Sequence, residues 1–254
     1  MEIKTTALAH ILPRTGGAGE NKRRVLQSAT DSVMLYAAPA WSSCLQYKTY
    51  VGQILSQQRK SLLRVCRGYR TISSEAAAVL SRVIPIDLMA LERTRTFGRN
   101  AEDKETEREN TMLAWQNRWA NTEKAEWTRN LIPLIRPWYE RKHGEITYEM
   151  TQAFTGHGCF QTYLYRIGKV STPTCVYCNE EAEDSPEHTL FHCCRWAAIR
   201  TETEIRVSAT LQIDNMVNLM LQNKENWDAI EELIQKVMKE KQDLENLRRN
   251  RRNN

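Results

Sequence analysis

Four cysteines and two histidines fall within CVYCNEEAEDSPEHTLFHCC, residues 175 to 194. Cys175 and Cys178 have two residues between them, the spacing at which a tight hairpin presents two thiolates to one ion. His188 follows after nine intervening residues, and then His192, Cys193 and Cys194 offer a choice of fourth ligand. Zinc suits such a mixture of thiolate and imidazole. His192 lies one helical turn after His188 and would give a two-cysteine, two-histidine site. Cys193 would give three thiolates and one imidazole, and requires a helix there to loosen or to begin. Spacing leaves the alternatives open. Four protein ligands leave no position for an activated water, so the site reads as structural rather than hydrolytic. The carboxylates between its halves (Glu180, Glu181, Glu183, Asp184) read as a solvated loop, too poor in apolar residues to fold without a clip.

No other residue pattern assembles a reaction centre, and no catalytic residue is assigned. His157 stands between Gly156 and Gly158, but no nucleophile is matched to it and a turn or packing role is expected. There is no GxxxxGK[ST] loop, no GxSxG elbow, no HExxH and no adjacent pair of aspartates for two metal ions. The seven cysteines are an odd number, and Cys44, Cys66 and Cys159 are isolated, so reduced thiols plus a metal site fit better than a disulfide framework.

Charge points to a polyanion. The net value is only +5, but residues 1–100 carry 15 Lys/Arg against 6 Asp/Glu, whereas residues 101–254 carry 21 against 25. Arg23 and Arg24 open a helix, where the dipole disfavours cations and an external phosphate would offset the cost. Arg59, Lys60, Arg64, Arg67 and Arg70 line the polar side of the next helix and its end, where like charges repel unless water or phosphate surrounds them. No apolar run approaches the roughly 20 residues that span a bilayer, and the first residues lack a secretory pattern.

Hydrophobic periodicity predicts a mostly α chain. A helix from Asn21 has Val25, Ala29, Val33 and Tyr36 at helical spacing and should stop at Pro39. A second runs from about Leu45 to Cys66 with Val51, Leu55, Leu62 and Leu63 as its stripe. A short helix starts near Ser73, Pro85 breaks the chain, and Asp87 caps the next helix. The charged middle of the stretch that follows is polar all round, a solvent-bridging helix or flexible linker, and a domain boundary is placed there. Trp115, Trp119 and Trp127 form a core seam. A final helix from about Lys224 has Trp227, Ile230, Leu233, Ile234 and Val237 as its apolar face and ends in a frayed basic tail with Arg248, Arg249, Arg251 and Arg252. The organisation expected is a basic part at 1–100, a charged helical linker at 101–130, and a helical region at 131–254 with a zinc knuckle at 175–193.

Several blocks then resemble a known family in the same order: TALAHILPRTGGAGENKRRVLQSATDSVMLYAAPAW, RVCRGYRTISSEAAAVLSRVIPIDLMALER, FTGHGCFQTYLYRIGK and the cysteine cluster ending in EHTLFHCCRW. They are similar to the segment after the polymerase palm of insect non-LTR retrotransposon reverse transcriptases of the type that inserts into ribosomal RNA genes. The resemblance implies the C-terminal portion of a Pol polyprotein, with helical thumb-like and linker segments followed by a small zinc-stapled module. It implies zinc ligands Cys175, Cys178, His188 and Cys193, with Cys194 where the family usually has proline. It also implies binding of RNA template, target DNA or RNA–DNA hybrid during target-primed reverse transcription, the rest of the polyprotein as a partner, and a nuclear location without membrane association. The polymerase aspartates and their magnesium, and the endonuclease, would lie outside this chain. A helical protein–protein scaffold with a structural zinc is the alternative.

Overall fold

A computed structural model describes residues 12–13, 15–178 and 182–253; Glu180, Glu181 and the Arg252 side chain lie outside the described set. The chain divides into two compact units, residues 1–129 with 133–140, and residues 130–132 with 141–254. Among the described residues the regular elements are helical, and β pairing is confined to one isolated bridge, Thr174 with Glu183. Among the described residues no helix is long and apolar enough to cross a membrane.

The first unit contains α1 (Glu20–Met34), α2 (Ala38–Trp41), a 3-10 turn (Ser42–Gln46), α3 (Lys48–Val65), α4 (Ser74–Ser81), α5 (Ile86–Arg95) and α6 (Ala101–Ala120). Then come α7 (Glu126–Leu131), where the chain leaves the unit, and α8 (Ile135–Glu140), which belongs to it. Ser73 starts α4 by accepting a bond from Ala76 N, and Asn100 starts α6 by accepting from Asp103 N. Pro39 does not end α1; it sits in the first turn of α2, where its missing N–H costs nothing. Asp87 is not a cap either. Pro85 occupies the cap position, and Asp87 receives a bidentate pair from Arg118 at 3.0 and 2.6 Å.

That pair helps to correct the expected boundary. α6 is no linker: it packs on α5 and buries Thr111, Met112, Trp115 and Trp119. The division of the chain falls at residues 130–141 instead. Trp115 and Trp119 are core as expected, whereas Trp127 is only half-buried.

The expected stripe on α1 is inverted. Val25 is 68% exposed, Val33 48% and Tyr36 80%, while Glu20, Arg23, Gln27 and Asp31 are buried. Each buried polar group has internal partners, which is how such a face is tolerated. Glu20 pairs with Arg82 Nε at 2.9 Å. Asp31 accepts from Gln27 Nε2 at 2.8 Å, and Gln58 joins it to Ile84 O and Ile86 N.

The second unit contains α9 (Tyr148–Thr155), α10 (Gln161–Arg166), α11 (Ala197–Val207), α12 (Met216–Gln222) and α13 (Lys224–Asn253). α13 is its spine and packs against α9, α11 and α12. Trp227, Ile230, Leu233, Ile234 and Val237 are all buried along it, as the periodicity predicts. The basic tail does not fray: helix continues through Asn253, where cations favour the C-terminal dipole. Gly144, at φ +74°, passes so close to the Trp227 indole that a Cβ there would lie 2.1 Å from the ring.

Burial is the main cause that raises the Asp31 pKa to about 6, with bonds from Gln27 and Gln58 and the charge of Arg93 opposing it. A raised carboxylate binds its proton more tightly folded than unfolded, so this group weakens the fold above the folded pKa and ceases to do so as pH falls. Asp31→Asn is therefore expected to raise stability by about 2 kcal/mol at pH 7.5 and to flatten its pH dependence between about pH 4 and 7. Urea melts across that range check it. Equal stability of the two proteins at pH 7.5 would show that Asp31 carries no such cost.

Candidate metal centre

The cysteine cluster is assembled from two pieces of backbone. The first is a hairpin at residues 173–184, closed by Cys175 N to Ala182 O at 2.8 Å and Asp184 N to Pro173 O at 2.9 Å. It carries Cys175 and Cys178. The second is a single π-helical turn, His188–His192, followed by Cys193. Ser185 starts this piece, its hydroxyl accepting from His188 N at 3.0 Å.

The π turn decides which of the candidate fourth ligands joins the cluster. At about 100° per residue, an α-helix would leave Cys193 roughly 140° around the axis from His188. Here Cys193 N donates to His188 O at 2.7 Å, the wider i→i+5 closure. The extra residue in the turn brings Cys193 back beside His188 and leaves His192 exposed. The loosening that a three-cysteine site requires is present.

One ligand atom each from Cys175, Cys178, His188 and Cys193 gathers within 4.8 Å of the others. Cys193 Sγ lies 3.8 Å from both Cys175 Sγ and Cys178 Sγ, and Cys178 Sγ lies 3.4 Å from His188 Nε2. A tetrahedral ion with bonds of about 2.3 Å to sulfur and 2.0–2.1 Å to nitrogen has edges of about 3.8 and 3.6 Å. The donor set therefore fits such an ion in chemistry, and the three edges given match it in spacing to within a few tenths of an ångström. Burial holds the His188 pKa below its ordinary value, which favours the neutral, ligating imidazole. Burial also pushes the Cys193 thiol up to about 12, with Cys175 adding to it. A bound cation is what would keep this sulfur a thiolate at neutral pH.

Asp184 is a correction. It is not solvated but 3% exposed, and it ties the hairpin to three other elements. Its carboxylate receives Lys241 Nζ from α13 at 2.7 Å on both oxygens. It also receives Gln161 N from the start of α10 at 2.9 Å and Thr189 Oγ1 from the π turn at 2.8 Å. Nothing in the acidic run NEEAEDSPE distinguishes this carboxylate from its neighbours. Lys241 on the otherwise apolar face of α13 was the available signal.

The glycine pair around His157 shapes the approach to this hub. Gly156, at φ 68°, ends α9, and Phe160 N-caps α10. The His157 ring lies against Tyr163 at 4.8 Å, and its pKa is pushed down to about 4 by burial and then by Arg166. Cys159 donates to Gln242 Oε1 at 3.3 Å, and burial raises it to about 12. Both have packing roles.

The cationic residues at the front of the chain divide into two sets. Arg23 is fully buried and donates to four carbonyls: Ala18 (2.6 Å), Arg64 (2.7 Å), Pro13 (2.6 Å) and Gly16 (3.0 Å). It therefore cannot reach an external phosphate. Arg59 clamps the loop after α3 through Ile72 O and Arg70 O, and Arg67 donates to Ala18 O at 3.1 Å. Arg24 is half-buried, reaches Arg82 O at 3.4 Å, and has its pKa lowered by burial and then by Arg82. Lys60 and Arg70 are exposed and Arg64 half-buried.

Comparison with known proteins gives a consistent set of relatives. The chain is 26% identical over 234 residues to the Retrovirus-related Pol polyprotein from type-1 retrotransposable element R1 4 of Nasonia vitripennis, covering 83% of this chain and 58% of that protein. It is 27% identical over 209 residues to the R1 Pol polyprotein of Bradysia coprophila, covering 73% and 20%. It is 26% identical over 217 residues to a putative 115 kDa protein in the element R1DM of Drosophila melanogaster, covering 76% and 21%. The chain thus spans from a fifth to under three-fifths of these relatives. No family model and no solved structure matches it.

Removing one partner of a buried ion pair strands the other charge. Asp184→Ala in the full chain is expected to lower unfolding free energy by about 3–5 kcal/mol, whereas Asp184→Leu combined with Lys241→Met loses much less. Urea titration followed by tryptophan fluorescence measures both. A loss below about 1 kcal/mol in the single variant would remove Asp184 from the centre of this unit.

Proposed function

We propose that this relative of part of the insect R1 Pol polyproteins is a nucleic-acid-binding segment of such a polyprotein. It holds template–primer or target DNA while polymerisation takes place elsewhere in the longer protein. The observation that carries the reading is the similarity to R1 Pol polyproteins along 83% of the chain. The excess of Lys/Arg in residues 1–100 supports it, because phosphate contact supplies position and salt-dependent affinity without base choice. Lys60 and Arg70 are exposed and Arg64 half-buried, so they are within reach of a phosphate, whereas Arg23 is buried. The exposed Arg249 and Arg251 at the end of α13 would add a second basic patch, and a nuclear location would follow from the same role.

The metal in this reading is zinc, held by Cys175, Cys178, His188 and Cys193. Bound there it supplies a covalent clip that replaces the apolar core the hairpin lacks. The four residues orient two chain segments and leave their surface fixed for a polynucleotide or for another part of the polyprotein.

The exposed apolar row Val25, Val33 and Tyr36 favours a second reading, a scaffold whose partner is protein. Binding experiments separate the two. Lys60→Ala with Arg70→Ala is expected to weaken binding to a short RNA–DNA hybrid about tenfold and to reduce the salt slope by about 2. Affinity and slope equal to those of the parent chain would favour the scaffold. Cys175→Ser is expected to lose the stoichiometric zinc of the purified protein and the ordered signals of residues 173–196. Retention of both would remove Cys175 from the site, and retention of the ordered signals after loss of the zinc would exclude a structural role for the metal.

A further inference from the structure

Cys194 follows the last metal-site cysteine and points elsewhere. Cys193 is buried, while Cys194 is exposed. Its Sγ lies 3.4 Å from Cys178 Sγ, and the thiol donates to Tyr177 O at 3.4 Å. It is not one of the four atoms gathered around a common point. A fourth sulfur therefore sits against the rim of the cluster, on the side open to solvent, in contact with the less buried of the two hairpin cysteines. The other cysteines offer nothing equivalent: Cys44 belongs to the first unit, Cys66 and Cys159 are buried, and Cys175 faces Cys193 inside the site.

We infer that Cys178 and Cys194 form a thiol-oxidation site that takes a hydroperoxide and closes to a disulfide, withdrawing one sulfur from the metal cluster. The exposed Cys194 sulfur attacks one peroxide oxygen; an S–O bond forms, the O–O bond breaks, and the departing hydroxide takes a proton to leave as water. Cys178 sulfur then attacks the sulfenyl sulfur of Cys194. The S–S bond forms, the S–O bond breaks, and a second water leaves. Two thiols lose two electrons and hydrogen peroxide accepts them. Access selects Cys194 as the entry point and proximity selects Cys178 as its resolving partner. The pair stands on the sulfur geometry alone. Only the loss of the ion rests on the zinc reading.

The test uses the full chain loaded with zinc and exposed to a small excess of hydrogen peroxide. Zinc release is followed with a chromogenic chelator, and the bonded cysteines are mapped by mass spectrometry after alkylation. The parent chain is expected to release zinc as a Cys178–Cys194 bond appears, and to rebind it after a dithiol reductant. Cys194→Ser leaves the four ligands in place and is expected to release zinc about tenfold more slowly. Release from Cys194→Ser at the parental rate would overturn the proposal, as would a dominant bond from Cys175 or Cys193. If the chain takes up no zinc, the zinc reading fails by itself. Mapping the peroxide-treated metal-free chain then decides the pair: a Cys178–Cys194 bond sustains it, and any other dominant bond ends it.

Discussion

The second unit depends on holding a polar hairpin against a helical bundle with almost no apolar side chains in the hairpin to do it. Two polar constraints meet that need from opposite sides. On one side, three sulfurs and an imidazole converge at the separations a single tetrahedral ion requires. On the other, Asp184 fastens the end of the hairpin to α10, the π turn and α13. The ion-pair anchor is buried at both partners, so it contributes geometry as much as energy; pairs of this kind fix an arrangement more surely than they stabilise it. The π turn couples the two anchors. It rotates Cys193 into the cluster while Thr189, one residue after His188, bonds to Asp184.

The first unit follows a related logic with arginine in place of metal. Its opening loop is stitched to the C-terminal turn of α3 by one guanidinium that satisfies carbonyls of Pro13, Gly16, Ala18 and Arg64. A planar fork with five donors can do this where lysine cannot. The helix that carries it turns its charged side inward and leaves Val25 and Val33 outside. Regional charge in the sequence therefore does not say which cations a ligand can reach. Lys60 and Arg70 are among the exposed ones.

What could be read from residues and what could not follow the same division. Long amphipathic elements with a single apolar face were legible, and the buried row from Trp227 to Val237 lies where the 3.6-residue period puts it. So was the Cys175–Cys178 pair, because a two-residue spacing permits few geometries. The fourth ligand was not fixed by spacing, since it depends on one extra residue in a helical turn, which has no compositional signature. α1 misled because periodicity assumes that apolar residues point inward; a hydrogen-bonded network of Glu20, Arg82, Gln27, Gln58 and Asp31 reverses that assumption. α6 misled for the opposite reason. Its charged first half resembles a linker, but Met112, Trp115 and Trp119 in its second half bury it in the unit.

The zinc site proposed for this chain is closed, with three sulfurs and one nitrogen. X-ray absorption at the zinc edge of the purified chain tests this most directly. Three sulfur neighbours at about 2.3 Å and one imidazole nitrogen at about 2.0–2.1 Å, with no oxygen in the shell, are the predicted result. A shell with two sulfurs and two nitrogens, or one completed by water, would contradict it.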